Sequence, residues 1–259
     1  MCIMIECQAK RTFMPAQAQG IQSVEIAASL LAVVAEAPGP LRLKDLADTT
    51  GLAANKARMY LVSLMRVGLV AQDEGLYIMG PKALRWGLLA LNQDTLFAEA
   101  QTLALHVSND HGSPVLLSAW DMEKSVIVAA FENGPLPMSF RVGGSTPLDT
   151  ATGTVFAAFL PDVEAILRAS VAPEHRDSIL ERVSAARENG WVVAEHLSVH
   201  QGVTINGYGA VAVPLLSRIG RLIYVMTALY PMSLTEPERA DFIDALNAAA
   251  RRFARAHGA

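Results

Sequence analysis

Asn55, Lys56 and Arg58 place an amide, an ammonium and a guanidinium within four residues, in a segment whose apolar residues repeat at helical spacing. These are the groups that read duplex DNA. An amide pairs bidentately with adenine, a guanidinium pairs with guanine, and an ammonium reaches either a phosphate or a base. Ser63 falls on the same polar face. Arg42 and Lys44, at the start of the preceding helix, suit phosphates, which set register without reading sequence. Gln22 and Ser23 stand at the N-terminus of the first helix, where free N–H groups also favour phosphate. Taken singly, any of these is equally a solvated surface side chain. A second cluster lies far along the chain at Thr150-Ala151-Thr152-Gly153-Thr154. Small side chains at a helix start expose backbone N–H groups to a carboxylate, and the threonine hydroxyls add donors. Its plain alternative is an ordinary N-cap.

The elements that must position the first cluster run from Leu41 to Val70. Leu43, Leu46 and Ala47 gather on one side of a short helix, and Gly51 marks the turn after it. A second helix opens near Ala53 and turns Ala57, Leu61, Leu64 and Met65 inward. Before both, 21–36 carries apolar residues at 24, 27, 28, 31, 34 and 35, entered at Ser23 and closed by Pro38-Gly39-Pro40. After them, 69–72 and 76–79 flank Asp73-Glu74-Gly75 as a small hairpin. Two helices and a turn are also an ordinary helical hairpin. Three helices followed by a hairpin are the order of a winged helix-turn-helix.

The chain has 259 residues, 52% of them hydrophobic, and a net charge of −4. That length accommodates two ordinary domains. No apolar run reaches the roughly 18 residues of a membrane span. Cys2 and Cys7 are the only cysteines, so nothing later can form a disulfide, which fits a reducing cytoplasm. Met1–Gly20 lacks a continuous apolar stretch and reads as a flexible leader. Between Leu41 and Arg66, five basic residues stand against two aspartates, whereas from Pro81 onward acids outnumber bases. A basic patch on an acidic body is compatible with DNA binding.

Pro81 starts a further helix in its favoured first-turn position. It is apolar at Leu84, Trp86, Leu88, Leu89 and Leu91, and suits packing on a second subunit or on the following domain. Another helix is expected over 96–110. From Pro114 the period changes to two, with strands expected over 115–120, 125–131, 138–142, 191–195, 210–215 and 222–229. Helices are expected over 152–160, 174–189 and from Thr235 to about His257. The fold class is α+β, an antiparallel sheet flanked by helices. Trp120, Ile127, Phe140 and Val225 are candidate apolar walls for a ligand, although such strand residues are usually plain core. Arg141 is either a counter-charge or a strand-edge charge.

Catalytic chemistry finds little support. His106 and His111 do not have metal-ligand spacing. There is no GxSxG elbow, phosphate-binding glycine loop or HExxH. No metal or cofactor is expected.

The chain from residue 20 onward resembles the IclR family of bacterial transcription regulators. The segment IQSVEIAASLLAVVAEAPGPLRLKDLADTTGL looks like the family's first two helices and KARMYLVSLMRVGLV like its recognition helix. YIMGPKALRWG is similar to the passage from wing to linker. TPLDTATGTVFAAFLP and NGYGAVAVPLLSRIGRLIYVMTAL are similar to two parts of the effector domain. Beyond the leader read over 1–20, the resemblance implies a winged helix-turn-helix domain over 21–80, a linker helix over 81–94 and a GAF-like effector-binding and oligomerisation domain over 95–259. It further implies a cytoplasmic repressor, a homodimer or homotetramer on double-stranded operator DNA, governed by a small organic or aromatic acid. Expected effector contacts are Trp120, Ile127, Thr150, Ala151, Thr152, Gly153 and Val225. This chain departs from the family's usual Ser/Thr and later Arg in the recognition helix, where it reads Asn55, Lys56 and Met59. The stretch from Gly190 to Gly207 also looks longer than usual. Residue by residue, one other reading stays open: a small-molecule-binding or enzymatic α+β protein whose N-terminal helices make protein contacts.

Overall fold

Leu30, Leu46, Ala57 and Leu61, each wholly buried, form the seed of the first of two compact units, which divide between Asp94 and Thr95. In the computed structural model the described residues are 20–134, 140–160, 166, 176–194, 197–199, 203–205 and 207–256. The expected leader therefore lies almost wholly outside them.

Helix α1 spans Gln22–Glu36, α2 Leu43–Thr50 and α3 Ala54–Arg66. Burying each of the three leucines stabilises the unit by about 1.5–3 kcal/mol. The inward line of α1 differs from the expected one. It runs through Leu30 and Val34, while Val24, Ala28 and Ala35 are exposed. Alanine is apolar enough to mimic a stripe on any side of a helix, so the bulkier residues decide the face. Helix α2 opens where Asp45 Oδ2 accepts the Arg42 N–H at 3.1 Å, and it closes on left-handed Gly51 (φ 67°). Strands β1 (Val70–Asp73) and β2 (Leu76–Met79) pair antiparallel across a two-residue turn with positive φ at Glu74 and Gly75. That is the hairpin turn whose twist matches its strands. Leu41 adds a third rung, its N–H donating to Tyr77 O at 3.0 Å and its carbonyl accepting from Tyr77 N–H at 2.7 Å. The hairpin is thereby tied to the segment between α1 and α2. Helix α4 (Pro81–Asn92) follows, with Pro81 at its start.

The second unit begins with α5 (Thr95–His111), followed by β3 (Val115–Trp120), β4 (Ser125–Phe131) and β5 (Ser145–Thr146). Helices α6 (Ala151–Phe159) and α7 (Arg176–Asn189) come next, then β6 (Val192–Ala194) and a small hairpin of β7 (Leu197–Val199) and β8 (Val203–Ile205). Long strands β9 (Tyr208–Leu216) and β10 (Leu222–Pro231) lead into α8 (Glu236–Ala256). The main sheet is antiparallel with strand order β5-β4-β3-β10-β9-β6. Because strand side chains alternate between faces, the unbroken burial of β10 requires cover on both. Thr227 contacts Thr152 of α6 on one face, and on the other Tyr224 meets Phe97 of α5 while Tyr230 meets Phe242 of α8.

One expected strand is absent among the described residues. Of 138–142, residues 138 and 139 lie outside the described set. At Phe140 the backbone N–H donates to Glu132 Oε1 (2.7 Å) rather than to a ladder, and a turn follows in which Gly144 N–H reaches Arg141 O. The rung beside β4 is supplied by Ser145 and Thr146 instead.

Candidate functional site

All eight residues expected at DNA are exposed: Gln22, Ser23, Arg42, Lys44, Asn55, Lys56, Arg58 and Ser63. Helix α3 orders four of them. With Ala57, Leu61 and Leu64 inward and about 100° per residue, the outermost line runs through Asn55, Met59 and Arg66. Lys56 and Ser63 flank it on one side. Arg58 sits roughly 100° from Met59, toward the edge of the face, which suits a phosphate better than a base. Ser63 is also less available than its position implies, since its hydroxyl donates to Met59 O at 3.1 Å. Met59, where the chain departs from the family's usual arginine, is not among the eight residues expected at DNA. It is 72% exposed at the centre of the polar face, opposite Ala57, Leu61 and Leu64. The hairpin tip offers Asp73 and Glu74, both exposed, so it does not extend the basic surface.

The second cluster is a capped helix start. Thr150 Oγ1 accepts the Gly153 N–H at 3.0 Å and donates to Pro147 O at 2.7 Å. Thr154 Oγ1 donates to Thr150 O. Thr152 is buried, with its hydroxyl 2.8 Å from that of Thr227. The threonine hydroxyls expected to face a ligand are thus committed within the chain, and so is the Gly153 N–H. The N–H groups of Ala151 and Thr152 make no hydrogen bond to a described residue. The apolar residues are core: Trp120, Ala151 and Val225 share one cluster, and Trp120 lies 5.5 Å from the Phe156 ring of α6. Register places Ile127, Ser118 and Val225 in one row across β4, β3 and β10. Ser118 was not anticipated. Its hydroxyl is fully buried and has no hydrogen-bond partner among the described residues. Arg141 is exposed at the turn beside Gly143.

A cavity of about 460 Å³ lies elsewhere in this unit, where the C-terminal end of α5 meets the ends of β9 and β10 and the start of α8. Asp110, His111, Tyr208, Asp241 and Phe242 line it. His111 stands edge-on to Phe242 at 5.2 Å. No described group of His, Cys, Asp and Glu is arranged to hold a metal ion, and no described helix is long and apolar enough to cross a membrane.

A winged helix-turn-helix unit is thus followed in the chain by a unit of antiparallel sheet with helices on both faces. Residues 23–74 match the IclR helix-turn-helix domain. The chain is 32% identical over 148 residues to the glycerol operon regulatory protein of Streptomyces coelicolor, an alignment covering 56% of this chain and 58% of that relative. Among solved structures, Pseudomonas aeruginosa HmgR superposes with a TM-score of 0.67 at 26% identity, covering 92% of this chain and 100% of the other. An IclR homologue from Microbacterium hydrocarbonoxydans, complexed with 4-hydroxybenzoate, superposes with a TM-score of 0.72 at 16% identity, covering 91% and 98%. The chain is therefore similar to IclR-family transcriptional regulators, through its helix-turn-helix domain and through the fold as a whole, and it spans a little over half the length of the curated relative it matches. The curated relative is named for regulation and not for catalysis.

Proposed function

We propose that this chain is a ligand-responsive transcriptional repressor of the cytoplasm, which binds double-stranded operator DNA through α3 and senses a small organic or aromatic acid in the unit starting at Thr95. The observation that carries the proposal is the outer face of α3, where Asn55, Lys56 and Met59 stand free of the core inside a helix-turn-helix of this family. Binding of the chain to the DNA upstream of its own gene is the test. Raising salt from about 50 to about 200 mM weakens binding by orders of magnitude if several phosphates are neutralised. Flat salt dependence, or no binding, would favour the reading in which the N-terminal helices contact protein.

The acid would enter between α6 and the sheet. There it meets the Ala151 and Thr152 N–H groups and the helix dipole, with the Ser118 hydroxyl among apolar walls. Room for it comes only from displacing α6, which breaks the Thr152–Thr227 hydrogen bond, and this couples the ligand to the seating of α6. The ligand then shifts the spacing of paired DNA-binding heads. A ligand found by thermal shift, with 4-hydroxybenzoate among those screened, should change operator affinity. A ligand that raises the melting temperature but leaves operator affinity unchanged removes the coupling from the proposal.

Pairing of two copies, as homodimer or homotetramer, is assigned to α4. None of its residues is buried, and Leu84 (68% exposed) and Trp86 (53%) stand among them with Leu88 and Leu89. Trp86→Asp is expected to lower the sedimenting mass by at least half. An unchanged mass places the contact elsewhere.

A further inference from the structure

Met59 has no reason in the fold to be methionine. It contributes nothing to the core of its unit, and it stands at the summit of a face whose other members are polar. Its neighbours one turn away are Asn55 before it and Ser63 after it, and the Ser63 hydroxyl is turned back onto the Met59 carbonyl. A helix laid in the major groove through this face brings Asn55 and Met59 down to the base edges, while Lys56 and Arg58 point toward its walls. A thioether neither donates nor strongly accepts a hydrogen bond. Pressed on a polar base edge it would strip water and return nothing. One base-edge group in the major groove welcomes it: the 5-methyl of thymine.

We infer that Met59 reads a thymine methyl in the operator half-site. The inference rests on the DNA-binding reading above and adds the chemistry of recognition to it. Asn55 lies four residues before Met59, about 6 Å along the helix axis, which corresponds to roughly two base-pair steps of 3.4 Å. Asn55 prefers adenine. The half-site therefore holds an adenine and a thymine about two base pairs apart, and the thymine is recognised through its methyl group rather than through hydrogen bonds.

Deoxyuridine differs from thymidine only in lacking that methyl, so it isolates the contact. The experiment first footprints the full-length chain on its upstream DNA. Each half-site thymine is then replaced by deoxyuridine, and affinity is measured by fluorescence anisotropy for wild type, Met59→Ala and Met59→Leu. Wild type should lose about fourfold per half-site at one thymine position, the worth of one buried methyl. Met59→Ala should bind the thymine operator more weakly and lose less than twofold on substitution. Met59→Leu should keep most of the sensitivity. Since the side chain is exposed, all three proteins should melt together. Indifference of wild type to deoxyuridine at every position overturns the inference while leaving DNA binding intact. So does an equal loss in wild type and Met59→Ala. Absence of any sequence-specific binding overturns both readings together.

Discussion

Lys56→Glu abolishes specific operator binding, weakening it by at least roughly 100-fold, while the protein melts at the same temperature or slightly higher. The two halves of this expectation come from one position. Lys56 is the third residue of α3, and that helix has no acidic residue in its first turn. The unpaired N–H groups there carry partial positive charge, so a cation is unfavourable and a glutamate favourable by about 0.3–1 kcal/mol. The helix also starts at Ala53 without a side-chain cap, which leaves a glutamate at the third position free to reach back to the backbone. Helix stability therefore asks for an acid where this chain carries an amide and an ammonium. A local rule broken on an exposed face, with no packing return, marks a site kept for a partner, and a positive helix end bearing a lysine suits a polyanion. Anisotropy on the footprinted operator and a thermal melt measure the two halves independently. Undiminished binding by Lys56→Glu removes α3 from the groove. A fall in melting temperature would mean instead that Lys56 has a structural role.

What could be read in the residues depended on whether the signal was local. Ala57, Leu61 and Leu64 announce the buried side of α3 because they recur every three or four positions, and Asp73-Glu74-Gly75 announces the hairpin because a polar break ending in glycine separates two short extended runs, although the positive φ at Glu74 is not one its residue type foretells. Helix α1 was misphased because its alanines supply apolar positions on every side, and the choice of Leu30 is made by the partners it meets. Met59 is legible as a departure from the family's usual arginine but not as a DNA contact. A thioether has no strong donor or acceptor to suggest a base or a phosphate, so its residue type carries no such signal. The α6 segment was found in the right place but with the wrong availability. Thr152 and Thr227 are 75 residues apart, so no local pattern could show that one hydroxyl satisfies the other. Ser118 is the same problem inverted, a hydroxyl whose isolation depends on strands from three parts of the chain.

Gly153→Ala should destabilise the second unit by several kcal/mol, which is opposite in sign to what the same change does in most helices. Alanine in a helix interior is ordinarily better than glycine by about 0.8–1 kcal/mol, because it restricts the unfolded chain and exposes less backbone. Gly87, in exposed α4, shows the ordinary case. A methyl added there meets nothing within 4 Å, and Gly87→Ala should raise stability by roughly that amount. At Gly153 the added carbon would fall against Pro147 O and the Leu148 backbone. Those atoms are backbone, so no side chain can rotate away, and relief comes only if the start of α6 lifts from the 147–148 segment. Overpacking of this kind costs about 1–3 kcal/mol. Lifting α6 also breaks the Thr150 cap, worth about 1 kcal/mol, and the buried Thr152–Thr227 hydrogen bond, worth a similar amount. Against a domain stability of about 5–15 kcal/mol, the loss leaves the unit marginal and disturbs the helix start where the acid is proposed to bind. Calorimetry of wild type, Gly87→Ala and Gly153→Ala separates the cases, with the first variant melting above wild type and the second well below. If Gly153→Ala melted at or above wild type, α6 would not be held as tightly on the 147–148 backbone as the geometry requires, and Gly153 would owe its presence to something other than close packing.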